Sequence, residues 1–258
     1  MDNKSTQFAD IMKLEQHGPD TFVGVGPRYP WGSLYGGQIV AQGLKAAAQS
    51  VTSEHKVHSL HAYFIRRGQH DAPVRFEVDR IRDGRSFTTR RVVARQSEGA
   101  ILNMSCSFQL PEGELAVQTR PMPEVARPDD EKPSGWIPLL ERRNAASEAG
   151  HQAAWFRTEV PGDHEIDHAC ALAYFSDNLP CEAIMTRHPE PGNNAFWMAS
   201  LDHAIWFHHA PRADDWQLHD VRCQSLVGSR GLAIGHVFAS NGIHLATVSQ
   251  EALLRRGR

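Results

Sequence analysis

The 258-residue sequence has no apolar run near the roughly 18 residues that cross a bilayer. Its opening stretch, MDNKSTQFADIMKLEQHG, lacks the apolar core of about 7–15 residues that marks a secretory signal. Both absences point to a cytoplasmic protein with no membrane partner. Charge of one sign is also missing: 27 Lys and Arg stand against 30 Asp and Glu, a net charge of −3, so there is no basic stripe for nucleic acid. The four cysteines, Cys106, Cys170, Cys181 and Cys223, are widely spaced and form no CxxC pair. They read as reduced residues of apolar stretches rather than disulfides or metal ligands. No GxSxG elbow occurs, and the glycines of GVGPRYPWG make neither GxGxxG nor a phosphate loop. Serine-hydrolase, nucleotide-binding and Rossmann readings therefore have no local support. The ending LLRRGR is not an SKL-type peroxisomal address.

Proline is present but concentrated. Residues 111, 121, 123, 128 and 133 are all proline, in a stretch between Leu110 and Trp136 with few large apolar side chains. Such a composition reads as a linker or long surface crossing and divides the chain into two halves of similar length. The halves resemble each other. Displacing the first by 143 residues pairs Phe64 with Phe207, Asp71 with Asp214, Val78 with Val221 and Ser86 with Ser229. It also pairs Ser97 with Ser240, Gly99 with Gly242, Leu102 with Leu245 and Leu110 with Leu253. These are eight ungapped identities over the 47 positions from 64 to 110, where chance gives roughly three.

The first half holds a helical pattern, GGQIVAQGLKAAAQSV over 36–51, with Ile39, Val40, Gly43, Leu44, Ala47, Ala48 and Val51 at helical spacing. Strand-like runs follow: VHSLHAYFI, VRFEVDRIR, SFTTRRVVARQ and AILNMSCSFQL. In the last, Leu102, Met104, Cys106 and Phe108 alternate with Asn103, Ser105, Ser107 and Gln109. The second half repeats the order: AAWFRTEV, the helix HACALAYFSDNL, then FWMASLDHAIWFHH, WQLHDVRCQSL, GLAIGHVFAS and IHLATVSQEALL. That helix is apolar on nearly every face and is expected to be enclosed. One long helix wrapped by an antiparallel sheet, twice over, is an α+β double hotdog. The expected division is an N-terminal hotdog over 1–111, a linker over 112–150 and a C-terminal hotdog over 151–258.

Two histidine patterns suggest metal and fail on context. HEIDH, His164 to His168, matches HExxH, but VPGD directly precedes it, so His164 falls at or before the helix start, whereas the zinc motif needs both histidines within a helix. In DHAIWFHH, His203 and His209 share a strand face while His208 points the other way. No metal is expected. What stands out instead is three polar residues in apolar settings: Asp177 at the end of the enclosed helix, Ser200 in FWMASLDHAIW, and Gln250 in phase with Ala246, Val248, Ala252 and Leu254. On pattern alone, Ser200 and Gln250 could equally satisfy neighbouring backbone groups, and Asp177 could be a cap.

The segments LYGGQIVAQGL, VHSLHAYFIRRG, IRDGRSFTTRRVVARQ, ILNMSCSFQ, YFSD, LDHAIWFH and VSQEALLR resemble those of the acyl-CoA thioesterase II family, the tandem hotdog acyl-coenzyme A hydrolases, in the family's order over about nine-tenths of the chain. The resemblance implies hydrolysis of acyl-coenzyme A to free fatty acid and coenzyme A by one oriented water, without cofactor, metal or covalent intermediate. It places the water on Asp177, Ser200 and Gln250, with Asp177 as general base. Ser200 departs from the family's threonine, keeping the hydroxyl but losing the methyl that restricts its rotamer. A homo-oligomer is expected, as is usual for the family. Two rivals share the fold. An enoyl-thioester hydratase would need a histidine a few residues after its aspartate, and SDNLPCEA has none. A noncatalytic acyl-thioester binding module would not need Asp177 and Gln250.

Overall fold

The alternation of ILNMSCSFQ becomes a strand whose Leu102, Met104, Cys106 and Phe108 are buried, and the phase of the last strand likewise buries Ala246, Val248, Gln250, Ala252 and Leu254. The computed structural model describes residues 7–113, 116–136, 139–189 and 196–256. The described part of the first half contains α1 (Phe8–Ile11), β1 (Glu15–Gly18), β2 (Thr21–Gly24), α2 (Gly36–Ala48), β3 (Lys56–Phe64), β4 (Val74–Asp83), β5 (Phe87–Gln96) and β6 (Gly99–Gln109). The remainder contains β7 (Pro133–Ser134), β8 (Glu141–Glu148), β9 (His151–Arg157), α3 (Glu165–Ser176), α4 (Pro180–Arg187), β10 (Phe196–Ser200), β11 (Asp202–Phe207), β12 (Gln217–Val227), β13 (Arg230–Ala239) and β14 (His244–Arg256).

Among the described residues these strands make one sheet, in the order β1-β2-β4-β5-β6-β3-β11-β14-β13-β12-β9-β8-β7, with β10 pairing β14 alongside β11. Neighbours run antiparallel throughout, and the halves join where β11 pairs β3, from Asp202 opposite Tyr63 to Trp206 opposite Ser59. α2 packs against α3. Every residue of α3 from His168 to Ser176 is buried, as its all-round apolar character requires.

Three expectations are corrected. Residues 112–150 are not all linker, because Glu141–Glu148 forms β8 and pairs with β9. The proline-rich part before it does lie along the surface of the sheet: Met122 and Val125 pack on Ala153, Trp155, Leu218 and Phe238, and Trp155 Nε1 donates to Ala126 O at 2.8 Å. Second, FWMASLDHAIWFHH is not one strand. It breaks at Leu201, whose N–H donates to Glu251 O at 2.8 Å, while Asp202 accepts the Glu251 N–H at 2.7 Å; His208 and His209 lie beyond the strand. Third, the helix expected over HACALAYFSDNL ends at Ser176, and after three intervening residues proline at the first helical position starts a new helix, α4.

The glycine pair of LYGGQ serves close approach rather than a turn. A Cβ on Gly37 would lie 2.5 Å from the Tyr174 carbonyl oxygen, and one on Gly36 would lie 2.7 Å from Asp177 Oδ2. The first turn of α2 therefore touches the last turn of α3 backbone to backbone. Gly37→Ala is expected to lower stability by about 3 kcal/mol, because the clash is with backbone that cannot swing aside. A urea melt checks this, and an unchanged midpoint would refute the close approach.

Candidate active site

Asp177 is the C-cap of α3, at φ −82° and ψ −1°, and is 7% exposed. Its Oδ2 accepts the Gly37 N–H at 2.8 Å, a bond only the missing Cβ at 36 and 37 permits. Its Oδ1 faces the Ser200 hydroxyl at 3.4 Å, and Ser200 Oγ in turn receives Gln250 Nε2 at 2.8 Å. Thus the three residues singled out by pattern and resemblance, on a helix end and on strands β10 and β14, meet at one point. Ser200 reaches it because β10 ends there, just before the break at Leu201.

Four groups around this point were not foreseen. His203, fully buried on β11, holds Gln250 Oε1 at 2.5 Å through Nδ1 and Ser176 Oγ at 2.8 Å through Nε2. Its sequence signal is the one that revealed Gln250: a polar residue alternating inward, here with Ile205. Cys181 brings its thiol to 3.7 Å from Gln250 Nε2 and 3.9 Å from Ser200 Oγ. Tyr35 donates to Tyr174 O at 3.0 Å, and its ring lies edge-on to that of Tyr174, with centroids 4.9 Å apart. Asn178 accepts Arg142 at 2.7 Å, while Arg142 grips Glu182 with two bonds of 2.8 Å, fixing the turn between α3 and α4.

Burial dominates the electrostatics. It pushes the Asp177 carboxyl up from 3.8 to about 6, with the Gln250 amide, the Gly37 N–H and the Ser200 hydroxyl pulling the other way. Burial also drives the Cys181 thiol up to about 12, so it is no nucleophile at neutral pH. His203 is pushed down to about 4 and is neutral beside Asp177.

HEIDH lies across the start of α3, with His164 at the N-cap. His168 is buried and its Nδ1 accepts the Ala213 N–H at 3.1 Å, a structural bond. Among the described residues, no group of three or more His, Cys, Asp or Glu is placed to hold a metal ion. The four cysteines are free.

Asp177 thus ends a buried helix against an antiparallel sheet, beside a hydroxyl and an amide, and comparison with known proteins gives the family of the chain. Residues 26–109 match the acyl-CoA thioesterase N-terminal domain, and residues 113–254 match the acyl-CoA thioesterase C-terminal domain. The chain is 33% identical to acyl-CoA thioesterase 2 of Haemophilus influenzae, over 95% of this chain and 96% of that protein. It is 32% identical to human acyl-coenzyme A thioesterase 8, over 98% and 90%. The crystal structure of acyl-CoA thioesterase II TesB2 from Mycobacterium marinum superposes with a TM-score of 0.85 at 35% identity, covering 96% and 97% of the two chains. The chain belongs to the acyl-CoA thioesterase II family. It is an acyl-CoA hydrolase.

Raising the Asp177 carboxyl from 3.8 to about 6 corresponds to about 3 kcal/mol of native-state cost. The folded form holds its proton more tightly than the unfolded chain, so stability falls as pH rises from about 4 through 6. Asp177→Asn removes the charge. Thermal melts at pH 8 are expected to show the variant at least as stable as the parent, with the difference shrinking towards pH 4. A variant that melts lower at pH 8 would show that the carboxylate supports the fold.

Proposed function

We propose that hydrolysis proceeds by direct attack of one water, with Asp177 as general base and Ser200 and Gln250 holding the water's remaining hydrogen bonds. The observation that carries this is the chain from Gln250 Nε2 to Ser200 Oγ to Asp177 Oδ1, ending on a carboxylate tuned to about 6. A base near the working pH is ionised enough to accept a proton and basic enough to draw one from water. A thioester carbonyl is a reactive acceptor, so orienting water and base supplies what an acyl-enzyme would otherwise provide. The site offers no competing nucleophile, since the Cys181 thiol is held protonated and no base adjoins Ser200 except Asp177 itself.

We further read the chain as two tandem hotdogs dividing near residue 111. In support, β12 and β13 start 143 residues after β4 and β5, the same displacement as the sequence identities. The two matched domains meet between 109 and 113. On this reading the positions related to Ser200, His203 and Gln250 are Val57, Leu60 and Ser107, so only one end of the helix pair carries the chemistry. A cavity of about 340 Å³ lies at the opposite end, between Val57, Phe108 and Ile166. A cytoplasmic homo-oligomer fits the outer face of the β3–β11 joint, where Tyr63 and Trp206 are exposed.

Incubation with acyl-coenzyme A, following free thiol, tests the activity against both rivals, since neither a hydratase nor a binding module releases it. Asp177→Asn is expected to lower kcat by about 10²–10⁴-fold in a folded protein. The wild-type rate is expected to fall as pH drops through about 6, because the base is then protonated. Near-normal kcat in the Asn variant would sink the assignment.

Ser200→Thr is expected to keep or raise kcat, because the added methyl stiffens the rotamer. Ser200→Ala is expected to lose less than Asp177→Asn or Gln250→Ala, and full activity in the Ala variant would remove Ser200 from the site.

A further inference from the structure

The hydrogen-bond network around His203 can be assigned by counting protons. A neutral imidazole has one donor and one acceptor, a hydroxyl has one proton, and an amide has a donor end and an acceptor end. Ionised Asp177 only accepts. The Ser200 hydroxyl therefore donates to Asp177 Oδ1 and must itself be approached by a donor, which sets Gln250 Nε2 against it. Gln250 Oε1 then faces His203 Nδ1, so Nδ1 carries the ring proton and Nε2 takes the Ser176 hydroxyl, whose single proton turns from the Ala173 carbonyl oxygen, 2.9 Å away, to the ring nitrogen at 2.8 Å. The opposite amide orientation sets Gln250 Oε1 against Ser200. That would divert the hydroxyl's single proton and leave the carboxylate against an oxygen lone pair.

We propose that His203 is a positioning residue for the hydrolysis: anchored by Ser176, it locks the Gln250 side chain with its N–H groups turned to Ser200 and the carboxylate. The inference rests on Asp177 being the base. Ser176 and Asp177 are neighbours at the end of α3, so the circuit leaves that helix end at one residue and returns at the next, through β11, β14 and β10. A glutamine amide has two nearly isosteric ends and nothing intrinsic selects between them. The carboxylate and Ser200 select one end, and His203, with its proton on Nδ1, holds it there.

The consequence is a pH signature. The titratable groups facing Asp177 are Tyr29 from the loop before α2, Tyr35 at the start of α2, Tyr174 on α3 and Cys181 on α4; the charged pair Arg142 and Glu182 lies behind Asn178. Burial holds the phenols and the thiol neutral. Of these, the carboxyl alone changes charge near pH 6. The Gln250 amide favours its ionised form. Freeing that amide raises the apparent pKa of the base and moves the acid limb of the rate profile to higher pH.

The test is a set of kcat, KM and pH–rate measurements on His203→Leu, His203→Asn, Ser176→Ala, Gln250→Leu and the His203→Leu/Gln250→Leu pair. His203→Leu is expected to lower kcat about 10- to 100-fold with KM little changed, and to shift the acid limb upward. Asn, whose side-chain N–H can stand in for Nδ1–H, is expected to restore most of the rate and the original limb. The double variant is expected to be no worse than Gln250→Leu alone, since both act through one amide. An unmoved acid limb, or losses that multiply in the double variant, would overturn the proposal. If His203→Leu does not fold, Ser176→Ala carries the test: a smaller upward shift supports the proposal, and an unmoved limb overturns it. Asp177→Asn separates the two levels. Near-normal kcat there removes the base itself, whereas a large loss there with no limb shift in the other variants removes only the role of His203.

Discussion

A carboxylate at the end of an apolar helix, enclosed on every side, costs free energy that the surroundings offset only in part. The site is organised around that imbalance. One backbone N–H from α2, one hydroxyl from β10 and one amide from β14 face Asp177, and together they leave its proton affinity near neutrality instead of returning it to the ordinary carboxylate range. On the proposed mechanism, more donors would stabilise the fold and spoil the base, and fewer would leave it protonated at the pH where it has to work. Among the described residues, no cation forms an ion pair with the group. Arg142, close by in the chain's path, is instead tied to Glu182 and reaches the site only through the Asn178 amide.

The groups that meet at Asp177 come from distant parts of the chain. Gly37 and Tyr35 belong to the first half and give a backbone N–H, an aromatic wall and a hydroxyl bonded to the Tyr174 carbonyl. Ser176, Ser200, His203 and Gln250 belong to the second. Among the contacts that hold the halves together are the helix pair α2 and α3 and the β3–β11 ladder.

The sequence displays the parts of this arrangement that periodicity carries. Gln250 betrays itself by occupying an apolar phase, and the same holds for the enclosed helix, which has no polar stripe to turn outward. His203 carries the same signal but sits in a cluster of three histidines, where its inward phase is masked by its neighbours. The break at Leu201 and the helix α4 leave no periodic mark, because each is decided by local hydrogen bonds and a single proline. The hairpin strand β8 follows a proline-rich stretch, and its ERRNAASE lacks alternating apolar residues; what makes it a strand is pairing with β9, a tertiary effect.

The glycine pair at the start of α2 has a consequence for mutational tolerance. Residues 36 and 37 have no side chain, take part in no proton transfer and lie in the half that carries none of Asp177, Ser200 and Gln250. Any replacement at either adds a Cβ against the Asp177 carboxylate or the Tyr174 carbonyl. In a saturation scan scored for activity, these two codons therefore rank with the chemically active positions. A map drawn from such a scan would mark the first half as part of the active centre on the strength of atoms that are absent.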